Sequence, residues 1–222
     1  MRLYLVRHGQ STQNRGDLDA QDAPLTRLGF LQAEWAAEAL RYEGIRRLYC
    51  SPMRRAVQTA SRISDALAAP PHVRPELCEY GGIWPLRTGD ALQYHTGLTR
   101  EKMLRVAPNA VLPDSITDAG WWFHEFAPPC DDSLRHARES ARALLAEMAD
   151  TLQGDEDRAA LVGHGGILDI IICEALGYEP HSVHIRLMHD NGAISRVDVE
   201  NGETRVAYMN RIDHLRAGHR SA

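Results

Sequence analysis

The sequence predicts an α/β protein with a mostly parallel central sheet, an antiparallel meander at the C-terminal edge of that sheet, and an inserted cap region. Three observations predict it. Short apolar runs rich in strand formers alternate with stretches of helical apolar spacing. Two of those runs, Arg2 to Val6 and Arg158 to Val162, lead into the same ending, a histidine followed by glycine. The last third changes to period-two alternation punctuated by Asn-Gly, the strongest short hairpin signal. A chain of 222 residues has room for one large domain or a core with an insertion. We read residues 1–215 as a single domain with 86–131 inserted into it, and 216–222 as a polar tail.

The opening run ends in Arg7-His8-Gly9. In open α/β sheets ligands bind beyond the carboxyl ends of the strands, so this tripeptide sits where chemistry is expected. An arginine binds two oxyanion oxygens through its planar fork, and a histidine offers a lone pair near neutral pH. A polar loop follows, then a helix from about Leu28, with Thr26 as candidate N-cap and Leu28, Leu31, Trp35 and Leu40 on one face. Ile45 to Cys50 reads as the second strand, broken by Ser51-Pro52.

The next helix carries Met53, Ala56, Val57, Ala60 and Ile63 as its buried stripe and places Arg54 and Arg55 in its first turn. Cations there oppose the helix dipole, which makes sense if an anion is bound at that end. His72 to Arg74 reads as a short third strand. It leads to Glu76 and then to Glu79-Tyr80-Gly81-Gly82-Ile83-Trp84-Pro85, where Glu79 is either a proton donor on a flexible loop or a solvated loop acid.

Residues 86–131 are read as an insertion folding over the site, helical at Arg100 to Val106. Trp121-Trp122-Phe123 serve either as anchors to the core, the favoured reading, or as a cleft wall. A long helix follows Asp131-Asp132-Ser133, and Gly154 to Asp157 is a turn. The run Arg158 to Val162 then delivers His164 and a helix starts at once; if this strand and the opening one are parallel neighbours, both imidazoles project into one crevice. Val183 to Leu187, Ile194 to Val199 and Arg205 to Tyr208 are expected as a three-stranded antiparallel meander at the sheet edge. His181, His184 and His189 are read as ordinary surface or sheet residues.

Net charge is −5, so no global basic field recruits nucleic acid or a membrane, and any affinity for a polyanion must come from a local pocket. Cys50, Cys78, Cys130 and Cys173 show no C-x-x-C pair and are expected as reduced thiols of a cytoplasmic protein. No stretch reaches transmembrane length, and the N-terminal run lacks a signal-peptide pattern. No Cys/His metal cluster appears, so no metal and no cofactor are expected.

Taken together, Leu3 to Asn14, Leu25 to Ala33, Ser51 to Ala60, Leu161 to Gly166 and, more loosely, Glu79 to Trp84 resemble the histidine phosphatase superfamily, which includes phosphoglycerate mutases and many small-molecule phosphatases. The resemblance implies a three-layer α/β/α sandwich. It implies that His8 is the nucleophile that becomes phosphohistidine, and that Arg7, Arg55, His164 and Asn14 form the phosphate pocket. Arg55 rather than Arg54 matches because it directly precedes the alanine of Arg55-Ala56-Val57-Gln58-Thr59-Ala60. Glu79 matches the acid that protonates the leaving oxygen. Trp84 is followed by Pro85 where the family often carries Glu-Gly, so Glu76 is kept in reserve, with Asp90 and Glu125 behind it.

The expected function is a phosphomonoesterase acting on a small phosphorylated metabolite, with Arg7, Arg55 and protonated His164 neutralising the phosphoryl oxygens. The absence of a paired-arginine segment in the insertion favours this over a phosphoglycerate-mutase-type transferase. A catalytically silent regulatory or binding protein on the same fold is a third reading, disfavoured because both histidines and the pocket arginines are present. A phosphate-ester substrate is the expected partner. The edge meander could pair two copies into a homodimer.

Overall fold

The alternation in the opening run is resolved by the two faces of one sheet. In the computed structural model, β1 (Arg2–Arg7) sends Leu3 and Leu5 to one side and Tyr4 and Val6 to the other, all fully buried. The structure describes all residues except 18–20, 89, 123–130, 153–156, 179–186, 188, 201 and 222, and the backbone alone at 87, 88 and 131.

The remaining elements, in chain order, are α1 (Arg27–Leu40), β2 (Arg47–Cys50), α2 (Arg54–Leu67), β3 (Pro71–Val73), β4 (Leu86–Thr88), β5 (Ala91–Gln93) and α3 (Arg100–Val106). They continue with α4 (Asp131–Thr151), β6 (Arg158–Gly163), α5 (Gly165–Ala175), β7 (Ile194–Glu200) and β8 (Glu203–Arg211). The main sheet has six strands in the order β3-β2-β6-β1-β7-β8. β3, β2, β6 and β1 are parallel, whereas β7 and β8 add antiparallel strands at the edge. α1 and α2 bury Ala36, Leu40, Val57 and Ile63 against the face of Tyr4 and Val6. α4 and α5 bury Leu144, Met148, Leu168 and Ile171 against the face of Leu3 and Leu5. The result is three layers around two apolar cores.

The two strands that end in histidine are immediate neighbours, with Arg7 opposite Gly163. The expected parallel pairing is therefore present. The Thr26 cap is present too, its side chain accepting the Gly29 N–H at 3.0 Å. Of the expected meander the described residues show the β7–β8 hairpin, with Glu200 paired to Glu203 and Gly202 at φ 80°. Residues 183–186 of its first strand, together with His181 and His184, lie outside the described residues, as do 154–156 of the expected turn, Phe123, Glu125 and Cys130.

Asn191-Gly192 is not a hairpin turn between strands of the meander: the Gly192 N–H donates to the carbonyls of Arg7 and His8 at 3.1 and 3.2 Å. His189 is not an ordinary surface residue either, being 5% exposed.

The segment 86–122 forms the two-stranded β4–β5 ribbon and α3. Its Leu98, Met103, Ile116 and Trp121 join the same core as α2. Trp121 is thus an anchor, and Trp122 lies against Gly82, where a Cβ would collide with its ring. The stretch read as a polar tail lies along α1: Gln32 Nε2 donates to the His219 carbonyl at 2.8 Å, and Ser221 Oγ donates to Asn191 Oδ1 at 3.1 Å. Cys50, Cys78 and Cys173 are free thiols. Among the described residues, no helix is long and apolar enough to cross a membrane, and no group of His, Cys, Asp or Glu could hold a metal ion.

Candidate active site

Four parallel-side segments converge at the carboxyl ends of the strands. β1 delivers Arg7 and His8, β2 runs into Ser51, β6 delivers His164, and the 3₁₀ turn Pro75–Leu77 after β3 leads to Glu79. The two histidine units are tied together directly, because the His8 N–H donates to the Gly163 carbonyl at 3.0 Å. Their ring centroids stand 5.0 Å apart.

His8 Nδ1 lies 2.7 Å from the Gly9 carbonyl. A carbonyl only accepts, so the ring proton is on Nδ1 and the lone pair on Nε2. Arg55 Nε–H donates to that Nε2 at 3.1 Å. The backbone turn after His8 is possible only for glycine. A Cβ on Gly9 would sit 2.2 Å from the Gly29 carbonyl oxygen, and one on Gly29 would sit 2.0 Å from that of Gln10. The start of α1 is therefore packed backbone to backbone against the loop after His8, which the Thr26 N–H to Gln10 carbonyl bond at 2.8 Å also holds.

Arg55 is 7% exposed, and its NH2 also donates to Met53 Sδ at 3.1 Å. Arg54, in contrast, contributes its backbone N–H to Asp22 Oδ1 at 2.9 Å. The anion inferred at this helix start is thus first of all a protein carboxylate. Asp22 is 7% exposed, and burial holds its carboxyl above the usual range against the pull of the Arg54 N–H and the Arg55 charge.

His164 stands at the N-cap of α5 without a side-chain cap bond. Its Nε2 lies 2.8 Å from Ser51 Oγ, which already accepts the Met53 N–H at 3.2 Å. A hydroxyl oxygen has two lone pairs, so this contact fits either ring tautomer, and Nδ1 is buried and has no partner among the described residues. Burial, then Arg55, His8 and Arg7, holds His164 well below the ordinary imidazole range. Burial and the neighbouring cations thus work against the protonated His164 that the sequence reading expects. His8 is depressed in the same way, by burial first and then by Arg55 and Arg7.

Glu79 is received by the N-terminus of α5. Its Oε2 accepts the Gly166 N–H at 3.1 Å, and its Oε1 accepts the Ile167 and Tyr80 N–H groups at 3.0 and 3.2 Å. Gly166 is required here, since a Cβ would meet Glu79 Oε1 at 2.6 Å. Burial raises the Glu79 carboxyl, opposed by the Gly166 N–H and the Arg55 charge. Glu76 instead pairs with Arg74 at 3.1 Å, and Asp90 is exposed.

Arg7 is held from its main chain and its tip. Its N–H donates to the Ala193 carbonyl at 3.1 Å, and its NH1 donates to the His189 carbonyl. Its Nε is buried without a partner among the described residues. Asn14 lies at the rim, its Oδ1 accepting from Ser11 N–H, Ser11 Oγ and Asn191 Nδ2 at 3.0, 2.9 and 3.3 Å. That leaves the amide nitrogen of Asn14 as its donor toward a ligand.

The structure thus brings His8, Arg7, Arg55, His164, Glu79 and Asn14 to one end of the sheet. The sequence reading missed Ser51, Asp22, Thr59 and Asn191. Ser51 was read as a strand breaker, and Asn191 as a turn. Thr59 Oγ1 accepts the Gly9 N–H at 3.1 Å and donates to the Arg55 carbonyl at 2.8 Å, so it ties the loop after His8 to α2. Its place in the Arg55 to Ala60 stretch was its signal.

This geometry agrees with the comparisons to known proteins. The chain is 28% identical over 219 residues, covering 97% of itself and 98% of the relative, to the "Putative phosphoserine phosphatase 2" of Hydrogenobacter thermophilus. It is 30% identical over 205 residues, covering 90% of itself and 86% of the relative, to the "Probable phosphoglycerate mutase GpmB" of Yersinia pestis. Among solved structures, the mycobacterial glucosyl-3-phosphoglycerate phosphatase superposes with a TM-score of 0.65 at 24% identity, covering 94% of this chain and 98% of that one. The sequence profile of the histidine phosphatase superfamily (branch 1) matches residues 3–212, and the chain belongs to that family.

Proposed function

We propose that the protein is a metal-independent phosphomonoesterase that hydrolyses a small phosphorylated metabolite through a phosphohistidine on His8. The observation that carries this reading is the His8 ring itself. Its Nδ1 is bonded to the Gly9 carbonyl, so Nε2 is committed to the pocket where Arg55 and His164 stand.

Arg7 Nε and Arg55 Nε are the donors a phosphate takes first. When a phosphoryl oxygen claims the Arg55 N–H, the His8 lone pair is released for in-line attack on phosphorus. Arg7, Arg55, His164 and the Asn14 amide then stabilise the equatorial oxygens, where phosphoryl transfer places its charge. Glu79, raised toward its neutral form by burial, gives its proton to the departing alkoxide. As a carboxylate it then takes a proton from the water that attacks the phosphohistidine, and phosphate leaves. The arginines supply the cationic charge that a metal supplies in other phosphatases.

The test is single-turnover mixing with a labelled phosphate ester in the presence of chelator. An alkali-stable, acid-labile phosphoprotein that forms and decays at the rate of phosphate release supports the reading. Metal-dependent turnover, or turnover with no such intermediate, overturns it. The phosphoglycerate mutase named among the relatives favours a second reading, transfer between substrate hydroxyls. Isomerisation of phosphoglycerate faster than phosphate release would select it.

A further inference from the structure

The pocket arginine Arg7 is aimed by a carbonyl, and that carbonyl belongs to a buried residue with a partner of its own. His189 Nε2 stands 3.0 Å from Asp169 Oδ1, and both side chains are nearly excluded from solvent. The second oxygen of Asp169 accepts the Leu187 N–H at 3.1 Å. On the other side, His189 Nδ1 lies 3.4 Å from Ser195 Oγ, and Ser195 is paired opposite Leu5 of β1. The imidazole is thus wedged between α5 and β7, and its carboxylate partner brackets the backbone at 187 and the ring at 189.

We propose that Asp169 and His189 form a positioning pair that sets the direction of the Arg7 guanidinium. Neither touches the phosphate. A buried carboxylate is costly unless its oxygens are engaged, and here one oxygen accepts the Leu187 N–H while the other stands 3.0 Å from the ring Nε2, a close polar contact rather than an aligned hydrogen bond. The product of that engagement is a fixed His189 carbonyl. Arg7 NH1 is spent on this carbonyl, which leaves Nε, buried and without a partner among the described residues, as the donor for a phosphate oxygen. Asp169 lies on α5, one turn beyond the N–H groups that hold Glu79, so the same helix start that seats the acid also directs the arginine. The proposal rests on reading Arg7 as a phosphate ligand.

The experiment measures the dissociation constant for inorganic phosphate and the kcat and KM for an aryl phosphate, in Asp169→Asn, His189→Gln, Arg7→Ala and the double variants with Arg7→Ala. Asparagine can still accept the Leu187 N–H, so Asp169→Asn keeps the bracket and loses only the charge facing His189. Thermal unfolding verifies that each variant is folded. The expected result is about three- to tenfold weaker phosphate binding in Asp169→Asn, the range of one lost hydrogen bond, and no further weakening when Arg7 is already alanine. A purely structural role adds its loss in both backgrounds, and that additive outcome overturns the proposal, as does unchanged phosphate affinity in both folded single variants. If Asp169→Asn does not fold, the His189→Gln cycle decides on the same criterion. If Arg7→Ala itself binds phosphate normally, what fails is the reading of Arg7 as a ligand.

Discussion

The two strand-histidine-glycine units look alike in sequence and end as different instruments. β1 and β6 run side by side in register, and each stops at the same level of the sheet. After His8 the chain turns into a loop packed against Gly29, so the ring bonds the carbonyl next to it and presents Nε2. After His164 a helix starts at once, the adjacent carbonyl enters the helix ladder, and the ring turns to Ser51, leaving Nδ1 buried without a partner among the described residues. One imidazole is tied to the carbonyl next to it and the other to a serine hydroxyl. The local path of the chain after the histidine, rather than the motif, assigns each ring its partner.

The sharpest way to break this comparison is to remove each ring. His8→Ala deletes the atom that forms the bond and should lower kcat by about 10⁴-fold or more, with no labelled phosphoprotein. His164→Ala deletes a neighbouring ring and should cost about 10²- to 10³-fold while labelling persists. Stopped-flow phosphate release and acid-quench labelling separate the two, and equal labelling defects would erase the distinction.

Glu79 belongs to the His164 unit, through the start of α5. Glu79→Gln should slow esters with alkoxide leaving groups by about 10²- to 10⁴-fold and aryl esters much less in the phosphorylation step. Glu76→Gln, on the Arg74 side, should stay near wild type with both. A silent Glu79→Gln would move the proton donor elsewhere.

Arg55 belongs to the His8 unit. Arg55→Ala should weaken phosphate binding by about 10- to 100-fold, the range for a charged hydrogen bond. Arg54→Ala should change it by less than about threefold, because the backbone of Arg54 is what Asp22 holds. Equal losses by isothermal titration would contradict the register of α2.

Ser51→Ala frees the His164 ring, and a loss of no more than about tenfold in kcat is expected, with KM little changed. The smallest effect is in titration. His8 and His164 are held below 6.5, so both stay neutral to lower pH than free imidazole, and the acid limb of kcat/KM lies below 6.5. Because the unfolded chain takes up these protons first, stability falls as pH drops through about 6.5 and continues to fall until the folded rings protonate. Arg55→Met should move the His8 titration upward, read by imidazole NMR, since it removes a nearby cation.

Much of this was legible because it lies along the chain. The strand endings and the Thr26 cap follow from local spacing, and the choice of Arg55 over Arg54 follows from the family resemblance of the stretch that begins there. From its own surroundings in the sequence Glu79 was one loop acid among several, singled out over Glu76 only by the resemblance, because what distinguishes it structurally is an N–H group 87 residues away. Asn191 and His189 were misread for the same reason. Asn-Gly signals a tight turn equally well whether a strand or the loop at His8 receives its N–H. A lone histidine shows its burial only once Asp169 is across from it. The two arginines at the α2 start correctly called for an anion, but a carboxylate from residue 22 meets part of that demand before any ligand does.

The strand order has a consequence for how the molecule comes into being. β6 lies between β2 and β1, so the first two strands made by the ribosome have no common edge to pair along until residue 158 onward has arrived. Until then the loop at His8 lacks the Gly163 carbonyl that receives the His8 N–H, and two central strands stand with open edges. The late strand is a keystone: contacts of such long sequence separation form slowly, and an incomplete chain exposes sticky edges rather than a weakened enzyme. The two histidines come together only once that last parallel strand takes its place beside β1.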